Sequence, residues 1–136
     1  MFDETPEEDE VDLDFEIRFY EGLVQKKPDF IEALQALGDA YTKKGMHDKG
    51  LAIDEYLSQL QPTNPYVLYN LACSYSLMKQ TDKAFRSIKR AIKCGYRNFD
   101  FLKEDKDLAN LKEDSRFLRY FSRIEKKLNK DIDRRE

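Results

Sequence analysis

Among side chains that could act as nucleophiles, metal ligands or proton carriers, the 136-residue chain holds one histidine, His47, and two cysteines, Cys73 and Cys94. A zinc site needs several ligands at short, fixed spacing. No Cys-x-x-Cys pair is present, and His47 has no second imidazole to work with. Both thiols therefore read as free cysteines, partly buried in helices. His47 falls near a turn between two helices with no companion nucleophile, and reads as a turn residue rather than a general base. There is no Gly-rich phosphate loop either. The expected protein is non-enzymatic and needs no metal or cofactor. Two charge patterns remain. Lys83, Arg86, Arg90, Lys93 and Arg97 recur at spacings of three and four, which on a helix draws one basic stripe. Residues 1–16 carry nine acids and no base. Such a run repels itself, so residues 1–11 are expected to form a disordered acidic tail, either solubilising or docked on the basic stripe of this molecule or a neighbour.

A helical array must position these groups. Leu34, Leu37, Gly38 and Tyr41 return thirty-four residues later as Leu68, Leu71, Ala72 and Tyr75, and the same offset carries Gly50 onto Ala84 and Leu57 onto Ala91. Spacings of three, four and seven put each set on one buried stripe of a helix. A period of this length marks stacked helical hairpins. The first helix is expected from Asp12 to Lys26 or Lys27, with Phe15, Phe19, Tyr20, Leu23 and Val24 on its apolar face. Asp29 should cap a helix over 30–44 that Gly45 stops, and Asp48 the next, which ends at Pro62. Asn64 and Pro65 open a third, Thr81 or Asp82 a fourth, and Gly95 ends it. After Asn98 the period fails. Leu102-Lys103-Glu104-Asp105 instead recurs as Leu111-Lys112-Glu113-Asp114, predicting two short turns that each press a leucine on the array beside Phe99, Phe101 and Leu108. A closing helix from Ser115 presents Phe117, Leu118, Phe121, Ile124 and Leu128, and residues 129–136 form a frayed charged tail.

These residues resemble tetratricopeptide repeats from about Asp14 to Asn98, with a half repeat at Tyr20, Leu23 and Pro28. Repeat one, 31–64, departs from the family where Asp54 replaces the usual aromatic of its second helix. Repeat two, 65–98, has Tyr96 in place of the closing proline. The resemblance implies an all-α solenoid of antiparallel helix pairs, a helical domain over 12–128 closed by a degenerate cap at 99–128. It also implies that Gly38 and Ala72 let paired helices approach closely. The family's concave groove maps onto Glu32, Gln35, Ala36, Asp39, Thr42 and Lys43 in repeat one, and onto Tyr66, Tyr69, Asn70, Cys73, Ser76 and Leu77 in repeat two. Tyr66, Tyr69 and Asn70 offer aromatic area and an amide for a peptide backbone. They could equally pack within the array. The carboxylate clamp by which some members hold chaperone C-termini is disfavoured: only Asn70 fits, while Gln35, Asp39, Asp100 and Glu104 stand at its other positions.

Function follows as an expectation: a non-enzymatic interaction module or adaptor that binds a peptide or helix of another protein, neutral or basic, in the concave groove. Its alternative is a binder of nucleic acid or anionic surfaces through the basic stripe, against which the net charge of −3 argues. Self-association is compatible with either. The start, Met1-Phe2-Asp3-Glu4, lacks a basic n-region and an apolar run, and no stretch reaches membrane-spanning length, so a cytoplasmic protein is expected.

Overall fold

Helix boundaries are set by backbone chemistry at three equivalent points. In the computed structural model, which describes residues 6–135 and the side chains of residues 12–131, Gly45 and Gly95 adopt φ of +84° and +114° just past two helix ends. Lys79, thirty-four residues after Gly45, takes φ 60° at the corresponding place, a conformation that costs a residue bearing a Cβ. At each point the next amide reaches back into the helix: Met46 donates to the Tyr41 carbonyl, Gln80 to Tyr75, and Tyr96 to Ala91. This closure sets the direction in which the chain leaves the helix.

The helices so delimited are α1 (Pro6–Lys26), α2 (Ile31–Lys43), α3 (His47–Leu60), α4 (Pro65–Leu77), α5 (Thr81–Lys93), α6 (Phe99–Glu104), α7 (Ala109–Lys112) and α8 (Ser115–Arg135), with a 3-10 turn at Lys106–Leu108. No strand occurs among the described residues. Each of α1 to α5 packs on its sequence neighbour, so α2–α3 and α4–α5 are hairpins and α1 lies on α2. The fold is an all-α solenoid.

Asn64 caps α4 as expected, its Oδ1 accepting the amides of Tyr66 and Val67 at 2.9 and 3.4 Å with Pro65 at the start of the helix. The other expected caps fail. Phe30, Met46 and Gln80 precede α2, α3 and α5, and none makes a capping side-chain bond. At α3 and α5 the helix closure already dictates the re-entry of the chain. Asp48 and Asp82 fall inside the first turn, where a carboxylate still favours the positive helix end.

Two glycines allow the first hairpin to close. A Cβ on Gly38 would stand 3.2 Å from Ile53 Cγ2 and 3.3 Å from Asp54 Oδ1, and one on Gly50 would stand 2.7 Å from Thr42 Oγ1. Leu71 of α4 is buried, at 5% exposed. Gly38→Leu should therefore destabilise the chain by about 1–3 kcal/mol through overpacking, and Leu71→Ala by about 2–5 kcal/mol through an emptied site. Urea midpoints unchanged in both would place these residues outside the hairpin cores.

The face that α1 buries is not the one expected. Ile17 is buried, with Leu13, Tyr20 and Val24 packed beside it against Leu37, Ala40 and Tyr41, whereas Phe15 and Phe19 are 62% and 52% exposed. A step of two residues turns a helix by about 200°, so Phe15 cannot share the face of Ile17. Polar contacts hold the same face: Asp14 pairs with Lys44, and the Tyr41 hydroxyl donates to Glu21 at 2.6 Å. Tyr75 donates to Glu55 at 2.8 Å in the same way. Glu21 and Glu55 are themselves thirty-four residues apart, which makes α1 the counterpart of α3. α1 begins at Pro6 rather than Asp12, so the expected disordered tail overlaps it; residues 1–5 lie outside the described residues.

Both recurrent leucines of the cap behave as expected, Leu102 and Leu111 being 1% and 0% exposed. With Leu108, Phe117 and Phe121 they join one core with Leu68, Ala84, Ile88 and Ile92 of the second hairpin. Phe101 and Leu118, expected in that core, are 53% and 52% exposed. α8 continues to Arg135 instead of fraying after Leu128, and Glu136 lies outside the described residues. Arg116 ties its start to Asp82 and Asp114 at 2.6 and 2.7 Å.

Candidate functional site

A polar groove of about 210 Å³ lies between α2, α3, α4 and the cap. It brings together Gln35, Asp39 and Thr42 of α2 with Tyr69, Asn70, Cys73 and Leu77 of α4. Glu32, Lys43, Tyr66 and Ser76 do not line it. Lys43 instead pairs with Asp39 at 3.0 Å on the exposed helix surface, Glu32 faces solvent and Ala36 is half-buried. Tyr66, 66% exposed, meets Tyr96 edge-on at 6.1 Å.

Three of the residues mapped as groove contacts are taken by the fold itself. Tyr69 is 4% exposed, stacks on Tyr96 at 4.3 Å and donates its hydroxyl to Asp105 at 2.6 Å. Cys73 is 8% exposed, with its Sγ 3.6 Å from the same carboxylate. Ser76 is fully buried: its Oγ accepts the Leu111 amide at 3.1 Å and its carbonyl accepts from Asn110 at 2.8 Å. The reason is the cap, whose 3-10 turn and α7 pack on α4. Burial above all holds the Tyr69 phenol and the Cys73 thiol in their protonated forms. Both cysteines are free, Cys73 buried and Cys94 exposed.

Carboxylates make up the charged lining of the groove. Asp54, on α3, is 8% exposed and accepts from Ser74 Oγ at 2.5 Å; burial pushes its pKa up from 3.8 to about 6. Asp107 is raised as well, by burial first and then by the neighbouring Asp105 charge. Asp105, which accepts from Tyr69 and from the Asp107 amide, completes the acidic wall. Sequence reasoning singled out Asp54 as a departure from the family but did not place it in the groove. It missed Asp105 and Asp107, because nothing in their spacing says that the cap folds against α4 beside this groove. The described residues hold no group of three or more His, Cys, Asp or Glu side chains arranged to hold a metal ion.

The basic stripe is exposed along its whole length. Arg97 donates to the Ile92 and Tyr96 carbonyls at 2.7 and 2.9 Å at the end of α5, and Arg90 to the Pro62 carbonyl at 3.0 Å in the loop between α3 and α4. Lys83 sits 5.7 Å from the centre of the Tyr75 ring.

The stacked hairpins define a helical-repeat scaffold, closed at one end by a cap. Part of the chain matches the tetratricopeptide repeat family. The model of that family matches residues 55–86, from the middle of α3 through α4 into α5. Repeats of this family generally mediate protein–protein interactions and form a non-catalytic scaffold. The chain is also similar to a protein of Arabidopsis thaliana described as chloroplastic, 27% identical over 111 residues that make up 79% of this chain and 32% of that protein. It thus spans about a third of the length of that relative. No described helix is long and apolar enough to cross a membrane.

Proposed function

We propose that the chain is a non-enzymatic interaction module whose concave groove takes a segment of another protein bearing a lysine or arginine. The observation that carries this reading is the set of groove carboxylates: Asp54 and Asp107 are held in a partly dry site where a cation would offset the cost of their charge. Asn70, exposed at the rim, offers a donor and an acceptor to a peptide backbone. Asp39, already drawn to Lys43, can exchange that exposed pair for the incoming cation at little cost. Tyr69 supports the wall from behind and makes no peptide contact of its own. The helices act as one domain in this reading. Two free thiols suit a reducing compartment such as the cytoplasm.

Selection of random phage-displayed peptides on the purified chain should enrich sequences containing Lys or Arg. Asp39→Asn with Asn70→Ala should weaken the selected peptides about tenfold or more, while Arg86→Ala with Lys93→Ala leaves them unchanged. Peptides without basic residues, or a loss confined to the second pair, would reject the groove as the site.

A further inference from the structure

A second surface lies on the opposite side of the last hairpin, where α5 and α8 enclose a trough of about 650 Å³. Its floor is apolar, made by Ile92, Ile124 and Leu128 with the Tyr120 ring. Six cations line it against one acid, Asp131. A purely solvated face would not need the floor, and a phosphate backbone would not use it. The ligand that fits carries acidic and apolar side chains together on one narrow strip.

The other end of this chain presents such a strip. Asp12, Phe15, Glu16 and Phe19 fall at spacings of three and four along α1, and all four are exposed. Phe15 and Phe19 stack on each other at 6.3 Å, giving a continuous apolar ridge with carboxylates beside it. Arg18 is the only base in α1 before Lys26. The ridge cannot reach the trough of its own molecule. α1 is fastened to α2 by Ile17, by the Asp14–Lys44 pair and by the Glu21–Tyr41 bond, with the whole α2–α4 stack between it and α5.

We propose that the trough between α5 and α8 receives the exposed acidic and aromatic strip of α1 from a second copy of the chain. The charges match and both surfaces carry apolar area, so electrostatics would orient the encounter and ring burial would hold it. Since the two surfaces differ, the contact is head-to-tail and adds copies in series unless the rotation closes a ring.

Sedimentation velocity of the full chain should show a mass that rises above 16.2 kDa with concentration, the affinity falling at least tenfold between about 0.1 M and 1 M salt. Two variants complete the test. Phe15→Ala with Phe19→Ala removes the ridge and leaves the trough, while Arg86→Glu with Lys93→Glu spoils the trough and leaves the ridge. All four residues are exposed, so helicity should be retained in both. Each variant alone should sediment as a monomer, and an equimolar mixture should form a dimer and stop there. A wild-type chain that remains monomeric up to about 1 mM overturns the proposal, whether or not an oligonucleotide binds the trough. A mixture that fails to associate overturns it too.

Discussion

Asp54→Asn is expected to make the chain more stable at neutral pH, by about 3 kcal/mol or roughly 10 °C in thermal midpoint. The buried carboxyl has a pKa of about 6 when folded and 3.8 as its ordinary value. A folded pKa above the unfolded one means that the folded chain keeps a proton the unfolded chain has lost. The stabilising contribution is therefore fully present below pH 3.8, is lost as pH rises through 6, and leaves a cost above that. Asparagine removes this cost and can still accept from Ser74. The gain should shrink as pH falls from 6 and vanish only below about pH 3, where the carboxyl is protonated in the folded and unfolded chain alike. Peptide binding should move the other way, falling in the variant at pH 7.5 and in the wild type below pH 6. A variant less stable than wild type at pH 7.5 would show that the charged form is compensated within the fold. Asp39 on α2 and Asp105 and Asp107 of the cap are the charged groups sharing its groove, and all are acids.

Removal of residues 98–136 should give a chain that aggregates or loses much of its helix. Leu102, Leu108, Leu111, Phe117 and Phe121 are all buried against the second hairpin, and at about 1.5–3 kcal/mol each their loss approaches the whole stability of a domain. A milder variant isolates the docking step. Ser76→Ala leaves the buried Leu111 amide without its acceptor and should cost about 1–3 kcal/mol in urea denaturation, with wild-type helicity in the absence of denaturant. A truncated chain that stays monomeric and fully helical would show that the cap is an appendage and not the closing layer.

Much of this molecule could be read from its order of residues. The thirty-four-residue recurrence from Leu34 to Tyr75, the stops at Gly45 and Gly95 and the Asn64-Pro65 start are local signals, because helix periodicity and helix termination depend on neighbours a few residues away. The same offset joins Glu21 to Glu55 and Tyr41 to Tyr75, so the hydroxyl–carboxylate pair recurs with the period. Lys79 escaped notice because its conformation is imposed by the closure around it and not by its side chain.

Which face of a helix is used depends on groups far away in the chain. Phe15 and Phe19 looked like core until α2 selected the face of Ile17, whose stripe from Leu13 to Val24 matches Leu37, Ala40 and Tyr41. Tyr69, Cys73 and Ser76 occupied groove positions by repeat register, yet the cap folds back across thirty or so residues and takes them for its own anchoring. The sequence alone determined the all-α array, its period and most of its punctuation, since those follow from short-range backbone preferences. Tertiary structure alone decided that the groove is acidic, because Asp54, Asp105 and Asp107 become neighbours of Asp39 only when a helix of the first repeat and the closing segment are brought to one place, out of water.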